Sequence, residues 1–107
     1  MGNLATALMN LLGAMAERSE GELARAYAEL RQAVELLFGE REDLEAYLGD
    51  LEALRGEGES PRARRVVEAL EALARLSPAE ADLAGTLVRR VAAVEAYHTV
   101  TRLTWDT

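Results

Sequence analysis

Residues 60–105 run SPRARRVVEALEALARLSPAEADLAGTLVRRVAAVEAYHTVTRLTW, and two helices can be read from them directly. Ser60-Pro61 and Ser77-Pro78 each open a segment. A serine hydroxyl there accepts from the orphan amides of a first turn, and proline fits the first helical position, where no needed donor is lost. Glu80, three residues after Ser77, completes a capping box. Between the two caps Val66, Leu70 and Leu73 keep helical spacing with Val67 and Ala74 beside them, so 60–76 is an ordinary amphipathic helix. Beyond the second cap, Leu83, Leu87, Val91, Val94, His98 and Trp105 fall within a stripe of about 80° at 100° per residue, with Thr101 on its flank. That stripe predicts a helix over 78–105 with His98 on its apolar, inward face.

Upstream, Ser19 precedes Glu20-Gly21-Glu22 and reads as a third capping box. Leu23, Tyr27, Leu30, Val34, Leu37, Leu44, Leu48 and Leu51 then keep three-and-four spacing across 20–55, interrupted only by Arg41. One continuous helix of that length would run roughly 54 Å, awkward beside partners half as long, so a break or kink is expected near Phe38-Gly39-Glu40. Gly56-Glu57-Gly58-Glu59 reads as the only real loop. The first segment, 2–17, carries no charge before Glu17. Leu4, Leu8, Leu11, Leu12 and Met15 supply its bulk, while Ala7, Asn10, Gly13 and Ala14 supply small or uncharged surface. A helix without charges on any face is normally enclosed, so this one is expected to be central or pocket-lining.

Ala, Leu, Glu and Arg account for 65 of the 107 residues, and only 5% are aromatic, which excludes most β architectures. The expectation is one all-α domain over 1–107, a bundle of four or five helices. Nineteen acidic residues against twelve Arg give a net charge of −7, which repels nucleic acid and anionic lipid at long range. Neither nucleic acid nor membrane is therefore an expected partner. The basic cluster Arg62, Arg64 and Arg65 lies beside Glu57, Glu59 and Glu68 and reads as a locally neutralised, solvated patch. Ala14-Met15-Ala16 mimics a signal-peptidase site, yet no basic region precedes it, and the uncharged stretch is short of the roughly 20 apolar residues a span needs. No targeting signal is read, and a cytoplasmic or recombinant-soluble location is expected.

The residue pool also lacks Lys, Ile and Cys, and all three serines stand where helices begin. A very GC-rich genome would produce such a pool. Serine caps, Ser-Pro helix starts and near-uniform Ala/Leu/Glu/Arg filling over most of 19–98 also resemble computationally designed helix bundles, though without a family motif. The Met- and Asn-bearing first helix and the Thr-rich 99–104 depart from that style.

With no Lys, Cys or second His, His98 is the chain's one strong nitrogen donor. A single imidazole facing an apolar interior suits one axial bond to haem or a synthetic metalloporphyrin. The expected site has His98 as the metal ligand and Arg90 and Arg102 at the propionates. Thr101 lies nearby, and Ala7, Asn10, Gly13 and Ala14 leave room for the ring. Peroxidase-like or carbene-transfer chemistry would follow from an open sixth position. Glu95 and His98 also spell Glu-x-x-His, half of a ferritin-like di-iron site that a homodimer would complete. Glu95 otherwise reads as a rim residue paired with Arg102 or His98. Trp105 reads as a packing cap on the bundle, and Tyr27, Tyr47 and Tyr97 as core or rim aromatics with a wet hydroxyl. Two further readings are a metal-free ligand-binding or histidine-based catalytic bundle, and an acidic helical interaction module. A small-molecule ligand or cofactor is the expected partner, with a monomer favoured over a homodimer.

Overall fold

Five helices account for almost all of residues 2–105, which are the residues the computed structural model describes: α1 Asn3–Arg18, α2 Gly21–Phe38, α3 Leu44–Leu54, α4 Pro61–Leu76 and α5 Pro78–Trp105. Two of the serine caps form, although the Ser77 amide donates to the Leu73 carbonyl at 2.8 Å and the Glu80 carboxylate goes to Tyr27, so no capping box closes there. Ser60 Oγ accepts from the Ala63 amide at 3.3 Å, and Ser77 Oγ accepts from the Glu80 amide at 3.5 Å. Ser19 does not. It ends α1, its amide donating to the Met15 carbonyl at 3.1 Å, and α2 starts instead behind Glu20 with Gly21 at φ +62°, a conformation only glycine adopts cheaply.

The long second segment divides where its pattern faltered. α2 stops at Phe38, Gly39 turns extended, and Asp43 caps α3 by accepting from the Ala46 amide at 3.1 Å. Arg41, the one polar interruption, lies in that turn. It donates to the Leu37 carbonyl at 3.4 Å and to Asp50 at 2.6 Å, and its guanidinium lies 5.7 Å from the centre of the Tyr47 ring. Residues 39–43 are thus a second true connection beside the 55–60 loop, where Gly56 and Gly58 take positive φ.

α2 is the helix at the centre. It packs on α1 and α4, and α5 in turn packs on α4 and α3. Four of the largest fully buried side chains, Leu30, Val34, Leu37 and Phe38, come from α2, joined by Leu51, Val66, Leu73 and Val88 from the others. The bundle measures 49 × 25 × 19 Å, and the 28-residue α5 runs most of its length.

α1 is not the enclosed helix that its missing charges implied. It buries Ala5, Leu8, Met9 and Leu12, mainly against α2, and leaves Leu4, Ala7, Asn10 and Leu11 exposed. α5 departs further from expectation. Its buried side is Ala81, Ala84, Gly85, Val88, Val91, Ala92, Ala96 and Thr99, whereas Leu83 is 64% exposed, Trp105 83%, and Val94 and His98 also face water. Small residues let a helix lie close on its neighbours, and the close-packed face takes precedence over the bulky one. His98 therefore stands on the outer side of α5, and Trp105 closes nothing.

Candidate functional site

Two shallow clefts divide the residues expected to form one pocket. The first, about 480 Å³, lies where the 39–43 turn meets the C-terminal half of α5, and is lined by Gly2, Phe38, Gly39, Glu40, Arg41, Leu44, Tyr47, Glu95, His98 and Arg102. The second, about 560 Å³, runs between α1 and α2 and includes Asn10, Gly13 and Ala14 with Met9, Arg31 and Gln32. His98 and Arg102 are thus together, and Asn10, Gly13 and Ala14 are together, but in different places. Ala7, Arg90 and Thr101 border neither cleft.

The first cleft is built on a hydrogen bond that sequence spacing does not reveal. Tyr47, buried on α3, donates its hydroxyl to Glu95 Oε2 at 3.2 Å across 48 residues of chain. Burial raises the Tyr47 phenol well above its ordinary value, helped by the Glu95 charge and opposed by Arg41. Glu95 also lies against the backbone of Gly2 at the start of α1, so that a Cβ on Gly2 would collide with its carboxylate. A negative charge is favoured at that helix end. The described partner of Glu95 is therefore Tyr47 and not the expected Arg102 or His98. His98 meets the Tyr97 ring edge-on, with centroids 5.7 Å apart. Among the described residues, no three or more His, Cys, Asp or Glu side chains come close enough together to hold a metal ion.

At the other end of α5 the same device recurs. Tyr27 of α2 donates to Glu80 Oε1 at 2.6 Å, and burial together with that bond pushes the phenol up to about 12. Of the basic cluster, Arg62 turns to Asp50 at 3.8 Å rather than to the glutamates beside it in sequence, while Arg64 and Arg65 are exposed. In the second cleft Arg31 Nε donates to the Met9 carbonyl at 3.2 Å, and a Cβ on Gly13 would come within 3.3 Å of the same nitrogen. Gly13 thus makes room for a protein side chain.

Another feature is not a cleft. Leu83, Val94, Tyr97 and Trp105 are exposed along the outer side of α5, with half-buried Leu87 and exposed Arg90 between the first two. The helix carries three acids, Glu80, Asp82 and Glu95, and three arginines, Arg89, Arg90 and Arg102, so it is neutral in a chain of net charge −7. No helix among the described residues is long and apolar enough to cross a membrane.

Comparison with protein-family models, with curated proteins and with solved structures finds no match. What the fold defines is the class, an all-α helical bundle.

Proposed function

We propose that the chain is a helical interaction module whose docking element is the outer side of α5, and that its partner is an apolar helix face of another protein molecule. One observation carries the reading. α5 spends its small residues on its own bundle and holds its large ones in water, with Leu83 64%, Tyr97 71% and Trp105 83% exposed. Single exposed apolar residues are ordinary, but a band running some 22 residues along one helix is the kind of surface that partners cover. Aromatic residues and arginine, both present here, are the types enriched at such contacts. A photo-crosslinking side chain at position 97, in the cells that make the protein, is expected to give a protein adduct of discrete mass. The same group at Glu71, on the solvent side of α4, is the control. Identical adduct patterns from the two positions would sink the reading.

A second reading is favoured by the sharing of one cleft by His98, Arg102, Phe38, Leu44 and Tyr47. There an exposed imidazole would serve as a ligand for haem or a synthetic metalloporphyrin, Arg102 would meet a propionate, and of the apolar side chains beside them Leu44 is half-buried while Phe38 and Tyr47 belong to the core. Because the cleft is open, much of the ring edge would stay wet and binding would be weak. Haemin titration is expected to shift the Soret band in the native chain and not in His98→Ala. An equal shift in both would rule the axial role out.

A further inference from the structure

We propose that α3, with the two connections that flank it, is a latch that opens and closes as one unit while the rest of the bundle stays packed, and that Asp50 is its catch. α3 is the shortest of the five helices. It buries only Tyr47, Leu51 and Leu54, where α2 buries seven side chains and α4 five. It packs on α5 and α4 and barely touches α2, although it follows α2 in the chain. Gly49 stands exposed in its middle, where glycine weakens a helix and no neighbour needs the space. Few buried apolar contacts, with non-helical chain at either end, mark a segment that can open at less than the global cost.

Charge adds a force that favours opening. Residues 40–59 contain eight acids against Arg41 and Arg55, so six of the chain's seven net negative charges stand in this fifth of the sequence. Asp43 and Glu45 suit the start of α3, but Glu52 and Glu57 crowd its end, where the helix dipole is itself negative and the Glu57 amide folds back to the Glu52 carbonyl at 2.9 Å. One carboxylate holds against this repulsion. Asp50 accepts from Arg41 at 2.6 Å with one oxygen and from the Ser60 hydroxyl with the other, and Arg62 lies 3.8 Å away. Arg41 in turn donates to the Leu37 carbonyl at the end of α2, and Ser60 caps α4. Both connections are thus fastened to the neighbouring helices through Asp50. Arg41 and Asp50 are 13% and 15% exposed, so solvent and salt weaken the pair less than the repulsion around it. Tyr47, bonded to Glu95, is the other fastening point. The turn before α3 is also a wall of the cleft that holds His98, so each opening widens that cleft.

Native-state hydrogen exchange of the full chain is the test. The amides of residues 48–54 should exchange together, at least about tenfold faster than those of Leu30 and Leu73. Asp50→Asn, which keeps the shape and removes the charge, should speed them about tenfold. Gly49→Ala should slow them about fourfold, since alanine is the better helix former and its methyl meets open space. This second variant reads the same opening if Asp50→Asn fails to fold. Tyr27→Phe supplies the discriminating measurement. The bond from Tyr27 to Glu80 stays made while α3 is open, so its loss should speed exchange in α2 and α4 and leave residues 48–54 as they were. If residues 48–54 are as slow as Leu30 and Leu73, or speed up with Tyr27→Phe, α3 opens only when the whole bundle unfolds and the latch is overturned. Exchange of residues 48–54 that is unchanged by Gly49→Ala would overturn it as well.

Discussion

α4 buries Val66, Leu70 and Leu73 and turns Arg62, Arg65 and Glu71 to water, whereas α5 buries Ala84, Val88 and Ala92 and turns Leu83, Tyr97 and Trp105 outward, although a serine-proline cap opens both. In α4, size and polarity change together around the helix, so the bulky side is also the only apolar side. In α5 they are uncoupled. One apolar side is small and the other large, and the bundle has taken the small one. Side-chain bulk reports the buried face only where charges mark the opposite face.

The largest effect that would break this contrast lies in α4. Leu73 is fully buried, and Leu73→Ala should cost about 2–5 kcal/mol in denaturant unfolding; a loss under 1 kcal/mol would mean the α4 face is not packed as described. Next comes the inward side of α5. Ala92 is also fully buried, so Ala92→Leu should overpack it and cost about 1–3 kcal/mol, although leucine nearly equals alanine in helix propensity. If Ala92→Leu stabilised the protein, the alanine face would be the free one.

Smaller effects come from the tyrosines that hold α5. Tyr27→Phe should cost about 1–2 kcal/mol by leaving Glu80 without its buried donor. The same bonds predict a pH dependence. An unfolded chain releases its phenol protons near pH 10, while burial and Glu80 hold Tyr27 to about 12 and burial raises Tyr47 as well. Between those values the folded state keeps protons that the unfolded state has lost, so stability that is fully present below pH 10 is lost as pH rises toward 12. Unfolding midpoints at pH 9 and pH 11 should differ in that direction, and less in Tyr27→Phe. The smallest effect belongs to the outer side: Leu83→Ser, with no partner present, should change stability by less than about 0.5 kcal/mol.

The helices were legible in the sequence because their punctuation is local. Ser60, Ser77, the two prolines and the glycine pair at 56 and 58 act within one turn of where they stand. Asp43 was legible by the same chemistry but lies inside a leucine pattern whose phase continues through the 39–43 turn, which hid the second cap. Ser19 misled because its neighbour Gly21 takes over the helix start through backbone freedom, without a side chain. The α5 face was readable in principle, since Ala81, Ala84, Val88, Ala92, Ala96 and Thr99 repeat at helical spacing as faithfully as the large residues do. Nothing local could have paired Tyr47 with Glu95 or separated Asn10 from His98. Those relations depend on how α1 and α3 are laid against α5.

A face made of alanines offers little relief to stop one rod from sliding along another. Tyr27 grips α5 at Glu80 and Tyr47 grips it at Glu95, fifteen residues and roughly 22 Å further along. These hydroxyls act as two stops on a smooth rail. Together they fix where the last helix sits along its neighbours, and with it the position of the exposed Trp105.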